Sequence, residues 1–267
     1  MRIAVALYLY DAKLVAEYTR YLSFLPRGYS LFITAVHDHA IIARAFPNAK
    51  RIKVENRGMD IGGFLAILPY ILTGDYDVVL KLHSKSSKTW RTDLLTPVCG
   101  SPQAVNKCLR MFSDPSVGMV GAQKWLLTPK TWKCNTYYLK MLSERFQQPL
   151  QQCSFIGGSI FWMRVTVLKR MFNNHHIPSL VQELNTSTSL DWNWYRMYYA
   201  DLTHLTEEQI REHWIVSGKK EGRVPNGLVA RSTGLLTICD GMLEHAYERL
   251  FALRVVAQGL VVTGVVA

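Results

Sequence analysis

The sequence predicts an α/β protein with a mostly parallel sheet flanked by helices. Two observations lead to this class. Strand-like runs alternate with helix-like runs from residue 3 to residue 164, and the run Val78-Val79-Leu80 is continuously apolar. Alternation of this kind is typical of βαβ units, and a continuous apolar run is typical of a parallel strand that is buried on both faces.

The elements are expected in the following order. We predict strands at 3–10, 29–36, 51–56, from Tyr76 onward, 117–123 and 155–164. Helices are predicted at 13–25, up to Phe46, at 63–72, at 102–112 with a start signal at Ser101-Pro102, and at 137–148. The C-terminal run 253–267 is broken by polar residues and is interpreted as a strand or an interfacial contact.

Segment 191–225 departs from this alternation because it is both aromatic and charged. Thr206 and Gln209 form a capping box that opens a helix, and Gly218 is a candidate for its end. We predict a small helical insertion module within one domain that spans residues 1–267. Its aromatic side chains are expected to pack on one another, independently of the sheet.

The composition is that of a globular protein with a basic surface. The chain has 267 residues, 49% apolar residues and a net charge of +11, which favours nucleic acid, acidic lipid or phosphorylated small molecules as partners. The five cysteines lack metal-ligand spacing, and the first apolar run is interpreted as a core strand rather than a signal peptide. We therefore expect a cytoplasmic protein with reduced thiols, and association with the cytoplasmic face of a membrane is left open.

Two polar stretches follow predicted strands. The first contains Asn56, Arg57 and Asp60, where the chain turns from a strand into a glycine-containing helix whose N-terminus offers N–H groups to an anion. The second contains Lys81, His83 and Lys85. Because ligands of open α/β sheets bind beyond the carboxyl ends of the strands, and because we expect these two strands to be neighbours, both stretches should face one crevice. A solvated turn and a solvated basic loop are the alternatives.

Four segments carry a family resemblance: ENRGMDIGGFL, YDVVLKLHSKSS, GGSIFWMR and DGMLEHAYERLF. In this order they resemble the motif series of the rhamnan synthesis F family, whose members are similar to GT-A glycosyltransferases. The resemblance covers roughly residues 3–255. It implies a GT-A-like, Rossmann-type fold and transfer of a sugar, rhamnose or a similar one, from a nucleotide-sugar donor to a cell-surface polysaccharide or other glycan.

The donor side is expected to differ from that of many GT-A enzymes. Those enzymes place an Asp-x-Asp pair, which holds Mg²⁺ or Mn²⁺, where this chain has Lys81-Leu82-His83-Ser84-Lys85. Cations neutralise a diphosphate directly, so we expect no cofactor to be required, although Asp60 leaves Mg²⁺ or Mn²⁺ open. The resemblance also makes Asp38 the candidate contact for the nucleobase of a dTDP- or UDP-sugar.

The acceptor side is assigned to two later segments. Gly157, Gly158 and Ser159 are the candidate acceptor contacts, with a packed core strand as the alternative. An inverting transfer needs one general base, for which Glu244 is preferred over Asp240 and His245. Glu248 and Arg249 are interpreted as a structural ion pair. The acceptor itself is expected to be a glycan or a lipid-linked saccharide.

Three classes of function stay open at this point. The first is the nucleotide-sugar glycosyltransferase, and the second is a non-catalytic nucleotide-sugar- or glycan-binding domain on the same fold. The third, a nucleic-acid-binding protein, rests on charge alone. It lacks a zinc, helix-turn-helix or RNA-recognition motif, and no nucleic-acid partner is expected.

Overall fold

The computed structural model describes residues 1–37, 40–128, 132–236 and 240–267, and for Lys133 only the backbone. Within these ranges, no helix has the length and apolar character needed to cross a membrane. The four cysteines that fall within them, Cys99, Cys108, Cys134 and Cys153, are free thiols.

The strands are β1 (Ile3–Tyr8), β2 (Ser30–Ala35), β3 (Lys50–Lys53), β4 (Val78–His83), β5 (Val117–Ala122), β6 (Leu126–Leu127), β7 (Phe155–Ile156), β8 (Phe161–Arg164) and β9 (Val261–Val265). The helices are α1 (Val15–Leu22), α2 (Ala40–Ala45), α3 (Met59–Thr73), α4 (Lys88–Cys99), α5 (Pro102–Met111), α6 (Thr136–Arg145), α7 (Val165–Phe172), α8 (Ile177–Gln182), α9 (Trp192–Tyr198), α10 (Glu207–His213), α11 (Gly227–Ser232) and α12 (Leu243–Ala257).

Seven strands form the main sheet in the order β3-β2-β1-β4-β8-β5-β9. The pairs β1–β2, β1–β4, β2–β3 and β5–β9 are parallel, whereas β8 runs antiparallel to both of its neighbours. The predicted fold class, a mostly parallel sheet flanked by helices, is therefore confirmed. The C-terminal run supplies the edge strand β9.

Strands β3 and β4 are not neighbours, contrary to the expectation that placed both polar stretches in one crevice. Strands β2 and β1 separate them. The two stretches still meet, because α3 follows β3, packs on β1 and β2, and brings its first turn above β4. The crossover helix, rather than strand adjacency, joins the two parts of the site.

The predicted strand 155–164 is two strands separated by a turn. Strand β7 pairs with β6 in a separate two-stranded ribbon, and β8 enters the main sheet. The chain turns between them because Gly158 and Ser159 have positive φ angles of 85° and 50°, which no strand tolerates. This turn, residues 157–159, is hereafter called the 157–159 turn.

Helices cover both faces of the sheet and bury an apolar core on each. Helices α1, α2, α4 and α5 pack on one face. Helices α3, α6, α7, α8 and α12 pack on the other, where Phe64, Phe161 and Phe251 form edge-to-face and tilted ring contacts. Side chains of β4 alternate accordingly: Leu80 and Leu82 face the first core, and Val79 faces the second.

Segment 191–225 contains α9 and α10 and has an apolar cluster of its own. Trp194, Tyr195 and Ile210 are buried there, and the predicted capping box at Thr206 and Gln209 is present. The cluster also includes Ala230 and Met242, which lie beyond residue 225. The apolar packing of the module therefore continues into the segment that precedes α12.

Candidate functional site

Lys81 lies on β4 with its side chain inside the protein, where only 1% of the residue is exposed. Its ammonium donates to Asp60 Oδ2 at 2.5 Å, to the Ser159 carbonyl at 2.9 Å and to Ser159 Oγ at 3.0 Å. All three ammonium protons therefore have protein acceptors. The sequence predicted a cation that meets a diphosphate, but in this arrangement Asp60 balances the charge of Lys81.

Asp60 completes this pairing from the first turn of α3. Its Oδ2 also accepts a hydrogen bond from Ser159 Oγ at 2.5 Å. Burial would raise the pKa of the Asp60 carboxyl, but His83, Lys81 and Ser159 together outweigh burial and hold the pKa well below its usual range. Asp60 is therefore ionised at any physiological pH.

His83 occupies the last position of β4 and is also buried. Its Nε2 is 2.8 Å from the carbonyl oxygen of Gly158, and its Nδ1 is 3.8 Å from Asp60 Oδ1. Because a carbonyl only accepts, Nε2 carries the proton. Burial lowers the pKa of His83 to about 4, although Asp60 acts in the opposite direction. At neutral pH the imidazole is uncharged, and its donor is used by the 157–159 turn.

The 157–159 turn is held from four sides. Gly157 N donates to the Trp125 carbonyl at 2.9 Å, and Gly158 N donates to Glu248 Oε1 at 2.7 Å. His83 and Lys81 hold the carbonyls of Gly158 and Ser159. The residues of the turn, which were predicted to contact the acceptor sugar, thus form hydrogen bonds within the protein.

Glu248 has a role that the sequence did not reveal. The predicted pair with Arg249 is present, with Oε2 3.4 Å from the guanidinium. The other oxygen fixes the Gly158 backbone, which links α12 to β4 through the turn. Burial raises the pKa of Glu248. The spacing of Glu244 and Glu248 indicated that they share one helix face, but it did not reveal that Glu248 bonds to the backbone of Gly158.

Asn56 and Arg57 make contacts within the protein. Asn56 Oδ1 accepts from the Tyr8 hydroxyl at 2.9 Å, at the end of β1. The Arg57 guanidinium pairs with Glu55 at 2.9 Å and donates to the backbone carbonyls of Gln182 and Leu184, each at 3.0 Å. Arg57 therefore anchors the loop after α8, and Asn56 fixes the end of β1.

Lys85 differs from the other predicted donor contacts. Among the described residues it forms no ion pair within 4.0 Å, and its ammonium stands 3.3 Å from the centre of the Trp90 ring. Burial lowers its pKa to about 8, while the carboxylates of Asp60 and Glu248 act to raise it. Lys85 is the predicted donor-side cation whose charge is left available to a ligand.

The backbone that carries Lys85 is firmly held. Arg91, buried in α4, donates to the Lys85 carbonyl and pairs with both carboxylate oxygens of Glu17 at 2.8 Å. Tyr18 donates to the His83 carbonyl at 2.5 Å. Hydrogen bonds from α1 and α4 therefore fix the backbone at both His83 and Lys85. Sequence reasoning missed Arg91 because its partner is 74 residues away.

The three predicted bases lie around the start of α12: Asp240 precedes the helix, and Glu244 and His245 are in its first turn. Asp240 Oδ2 is 3.1 Å from the Arg249 guanidinium, and 36% of the Asp240 side chain is exposed. His245 caps the helix, because its Nδ1 accepts from Met242 N at 3.3 Å. Burial lowers the pKa of His245 to about 4. His245 is therefore occupied and uncharged at neutral pH, while the Asp240 side chain is partly exposed although its Oδ1 atom is buried.

Glu244, the preferred base, points into the interior and is 1% exposed. Neither carboxylate oxygen makes a hydrogen bond of normal geometry among the described residues. Burial, with contributions from Asp191 and Asp60, raises its pKa to about 8, and Asn185 acts in the opposite direction. An acceptor hydroxyl could contact Glu244 only if the packing around α12 opened.

A divalent metal does not fit the predicted position. Asp60 Oδ2 is engaged by Lys81 and Ser159, and the nearest groups are cationic or uncharged. In the ranges that the structure describes, no three His, Cys, Asp or Glu side chains are arranged to hold a metal. The predicted nucleobase contact, Asp38, lies outside the described residues.

The candidate site thus lies at the carboxyl ends of β1 and β4 of the α/β sheet. A buried ionic network supports the 157–159 turn, and the charge of Lys85 beside it is available to a ligand. The family model described as rhamnan synthesis protein F matches residues 1–199. The chain belongs to this family, and the resemblance seen in the sequence is confirmed.

The curated relatives include two sequences named "Uncharacterized protein WxcX", from strains B100 and ATCC 33913 of Xanthomonas campestris pv. campestris. Each is 34% identical over 131 residues, which make up 45% of this chain and 19% of the relative. The match therefore spans about a fifth of the length of these relatives.

Two solved structures share part of the architecture. One is a CMP:2-keto-3-deoxy-manno-octonic acid synthetase complexed with CTP, at 11% identity, with a TM-score of 0.35 over 68% of this chain and 83% of that chain. The other is residues 1–349 of TarS from S. aureus, at 12% identity, with a TM-score of 0.40 over 82% of this chain and 73% of that chain.

Proposed function

We propose that the chain is a glycosyltransferase domain that moves a sugar, rhamnose or a similar one, from a dTDP- or UDP-sugar to a glycan or lipid-linked acceptor. Family membership supports the class of reaction. The observation that carries the proposal is the Lys85 ammonium, which stands at the carboxyl end of β4 without an ion-pair partner among the described residues. Ligands of open α/β sheets bind at this edge.

In the proposed reaction, Lys85 meets the diphosphate of the donor. The bond between the anomeric carbon and the diphosphate oxygen breaks, and negative charge grows on the leaving group. The Lys85 ammonium stabilises that charge without a metal ion. The role of the buried network is indirect. Hydrogen bonds among Asp60, Lys81, His83 and Ser159, and from His83 to Gly158, fix the end of β4 and the 157–159 turn.

The acceptor hydroxyl forms the new bond to the anomeric carbon and loses its proton to a base. We propose Asp240 for this role in place of Glu244, because a base has to contact the hydroxyl and Asp240 is the more exposed carboxylate. One base without a covalent intermediate gives inversion at the anomeric carbon. Arg249 pairs with Asp240 at 3.1 Å and directs its carboxylate toward α12.

A binding domain without catalysis is the second candidate, and one observation favours it. Each predicted base is already engaged or enclosed: Asp240 with Arg249, His245 as a helix cap and Glu244 in the interior. Such a domain would bind a nucleotide sugar or glycan and leave it unchanged. Fold and family alone do not separate the two candidates.

The test combines a panel of nucleotide sugars with two readouts. A donor that binds only the folded chain raises the melting temperature by mass action, and mass spectrometry then detects transfer to a rhamnose oligosaccharide. Asp240→Asn should lower turnover by about 10²–10⁴-fold with donor binding retained, the usual effect of losing a general base. Glu244→Gln is the matched control. Binding without turnover for every donor would support the binding domain instead.

A further inference from the structure

We propose that the Trp90 ring is a sugar-binding platform that Lys85 covers until a diphosphate draws the ammonium away. The inference rests on the proposed function and adds an order of binding: donor first, acceptor second. It identifies Trp90, with Trp125 beside it, as the surface on which an acceptor sugar ring stacks.

The platform lies between the donor and acceptor sides of the site. Trp90 stands in the first turn of α4, and Trp125 follows β5. Their ring centres are 5.2 Å apart with 37° between the planes. The same two residues border the 157–159 turn, since Gly157 N donates to the Trp125 carbonyl and the Cβ of a residue at 158 would come within 3.3 Å of the Trp90 ring.

Two unsatisfied donors distinguish this pair from ordinary core packing. The indole Nε1 of Trp90 and that of Trp125 are both buried, and neither has a hydrogen-bond partner among the described residues. Buried indole N–H groups usually find an acceptor. Trp162, a fully buried indole of the same chain, donates to the Val98 carbonyl at 3.0 Å. Two indoles without acceptors beside a glycine turn point to an acceptor that arrives with a ligand.

Lys85 is the residue that covers the Trp90 ring. Its ammonium lies over the Trp90 ring at 3.3 Å, while the carboxylates that influence it, Asp60 and Glu248, are bound to Lys81, Ser159, Gly158 and Arg249. A cation over an aromatic face is held more weakly than a cation hydrogen-bonded to a phosphate oxygen. A diphosphate at the end of β4 therefore draws Lys85 from the ring. The backbone need not move, because Arg91 holds the Lys85 carbonyl.

Uncovering the ring has two consequences for a saccharide. The apolar face of a sugar can stack on the exposed indole, and a hydroxyl at the edge of the ring can accept from an indole N–H group. Before the donor binds, the same saccharide would have to displace a cation from the ring. Donor and acceptor binding are thus positively coupled, and the coupling is reciprocal.

The first test follows tryptophan fluorescence during titration with inorganic pyrophosphate. The wild type should show a change in emission that is absent in Trp90→Phe, because the cation leaves the reporting indole. Lys85→Met should bind pyrophosphate more weakly and show no such change. Lys88→Met, which removes an exposed lysine at the start of α4, is the matched control and should behave as the wild type.

The second test measures binding of a rhamnose oligosaccharide by calorimetry, with and without UDP or dTDP. The nucleotide should raise oligosaccharide affinity by about tenfold, within the usual range of coupling between two sites. In Lys85→Met the affinity should be high and independent of nucleotide. Trp90→Ala should lose oligosaccharide affinity, and retained UDP or dTDP affinity in that variant shows that it is folded.

The outcomes separate this inference from the proposed function. If a nucleotide binds but neither Trp90 emission nor oligosaccharide affinity changes, the platform is refuted while the transferase proposal stands. If binding is coupled as expected but no donor is ever consumed, the platform stands and catalysis is refuted. If no diphosphate binds, both are refuted.

Discussion

A buried ammonium such as that of Lys81 destabilises a protein by several kcal/mol unless every proton has an acceptor. Asp60 and Ser159, which lie 21 and 78 positions from Lys81, supply the three acceptors. The sequence identified Lys81, Asp60 and Ser159 as site residues, because each stands in a polar stretch beside glycine or at a strand end. It could not identify their mutual pairing. That pairing depends on a crossover helix and an antiparallel strand, which no local pattern encodes.

Replacing one member of the pair should therefore affect stability before it affects ligand binding. Lys81→Met leaves the Asp60 carboxylate, whose side chain is only 15% exposed, without its ammonium partner, and should lower the free energy of unfolding by up to about 3–5 kcal/mol, the usual cost of breaking a buried pair. Urea unfolding measures this value. The double variant Asp60→Asn with Lys81→Met should recover part of the loss. A single variant as stable as the wild type would show that the pair is not buried in solution.

Glu244 should make stability depend on pH. Its pKa rises from 4.5 in the unfolded chain to about 8 in the folded protein, so the folded state binds the proton more tightly. The stabilisation that the Glu244 carboxyl contributes is fully present at pH values below its unfolded pKa. It is lost as the pH rises from the unfolded pKa to the folded pKa. Glu244→Gln removes this dependence. Relative to the wild type, the variant should gain stability between pH values of about 5 and 8 and remain level beyond them. A constant difference over that interval would mean that the carboxyl is hydrated.

At the scale of elements, most strands and helices were predictable, and the exceptions have physical causes. Strand β1, helix α5 with its Ser101 cap and the capping box of α10 agree with their local signals. Helix α4 was not predicted, because KTWRTDLLTPVC contains an internal proline and a mixed polar pattern. The break in 155–164 was missed because the predicted strand ran through Gly157 and Gly158, whereas Gly158 and Ser159 adopt positive φ angles and tertiary contacts hold them there.

The 157–159 turn should tolerate no side chain at residue 158. In Gly158→Ala the new Cβ would lie 2.8 Å from Leu94 Cδ1, at a φ of 85°. Gly259→Ala is the matched control, since its φ is 72° with no atom within 4 Å. The control should cost about 1–2 kcal/mol for the left-handed conformation alone, and Gly158→Ala should cost about 1–3 kcal/mol more for overpacking. Thermal unfolding measures both variants, and equal losses would rule out the close contact.

At the scale of the whole molecule, the helical module is joined to the domain through its first residue. Asp191 accepts from the Tyr138 hydroxyl at 2.6 Å and from Asn185 at 2.8 Å, and its backbone N donates to the Pro225 carbonyl at 3.1 Å. The two ends of the module are therefore adjacent. The boundary at 191–225 was predicted from composition, which does not reveal that Asp191 also belongs to the domain.

Deleting 192–224 and joining the ends with two glycines should leave a folded domain that retains nucleotide binding. Some stability is lost, because Ala230 and Met242 lose their apolar cover. Deleting 191–225 should be more harmful, since Tyr138 and Asn185 also lose a buried partner, at about 1–3 kcal/mol for each unsatisfied group. Circular dichroism and calorimetry compare the two deletions. If both aggregate, the module is integral to the fold.

Strand β8 sits between β4 and β5, although it is made after both of them. Until residues 161–164 are synthesised, β4 and β5 each lack the strand that pairs with one of their edges in the folded protein. Such exposed strands invite pairing with other chains. The same insertion brings Ser159 to Lys81, so the ionic network closes at the moment when the gap in the sheet is filled. We therefore expect a nascent chain that ends before β8 to be more prone to aggregation than one that includes it.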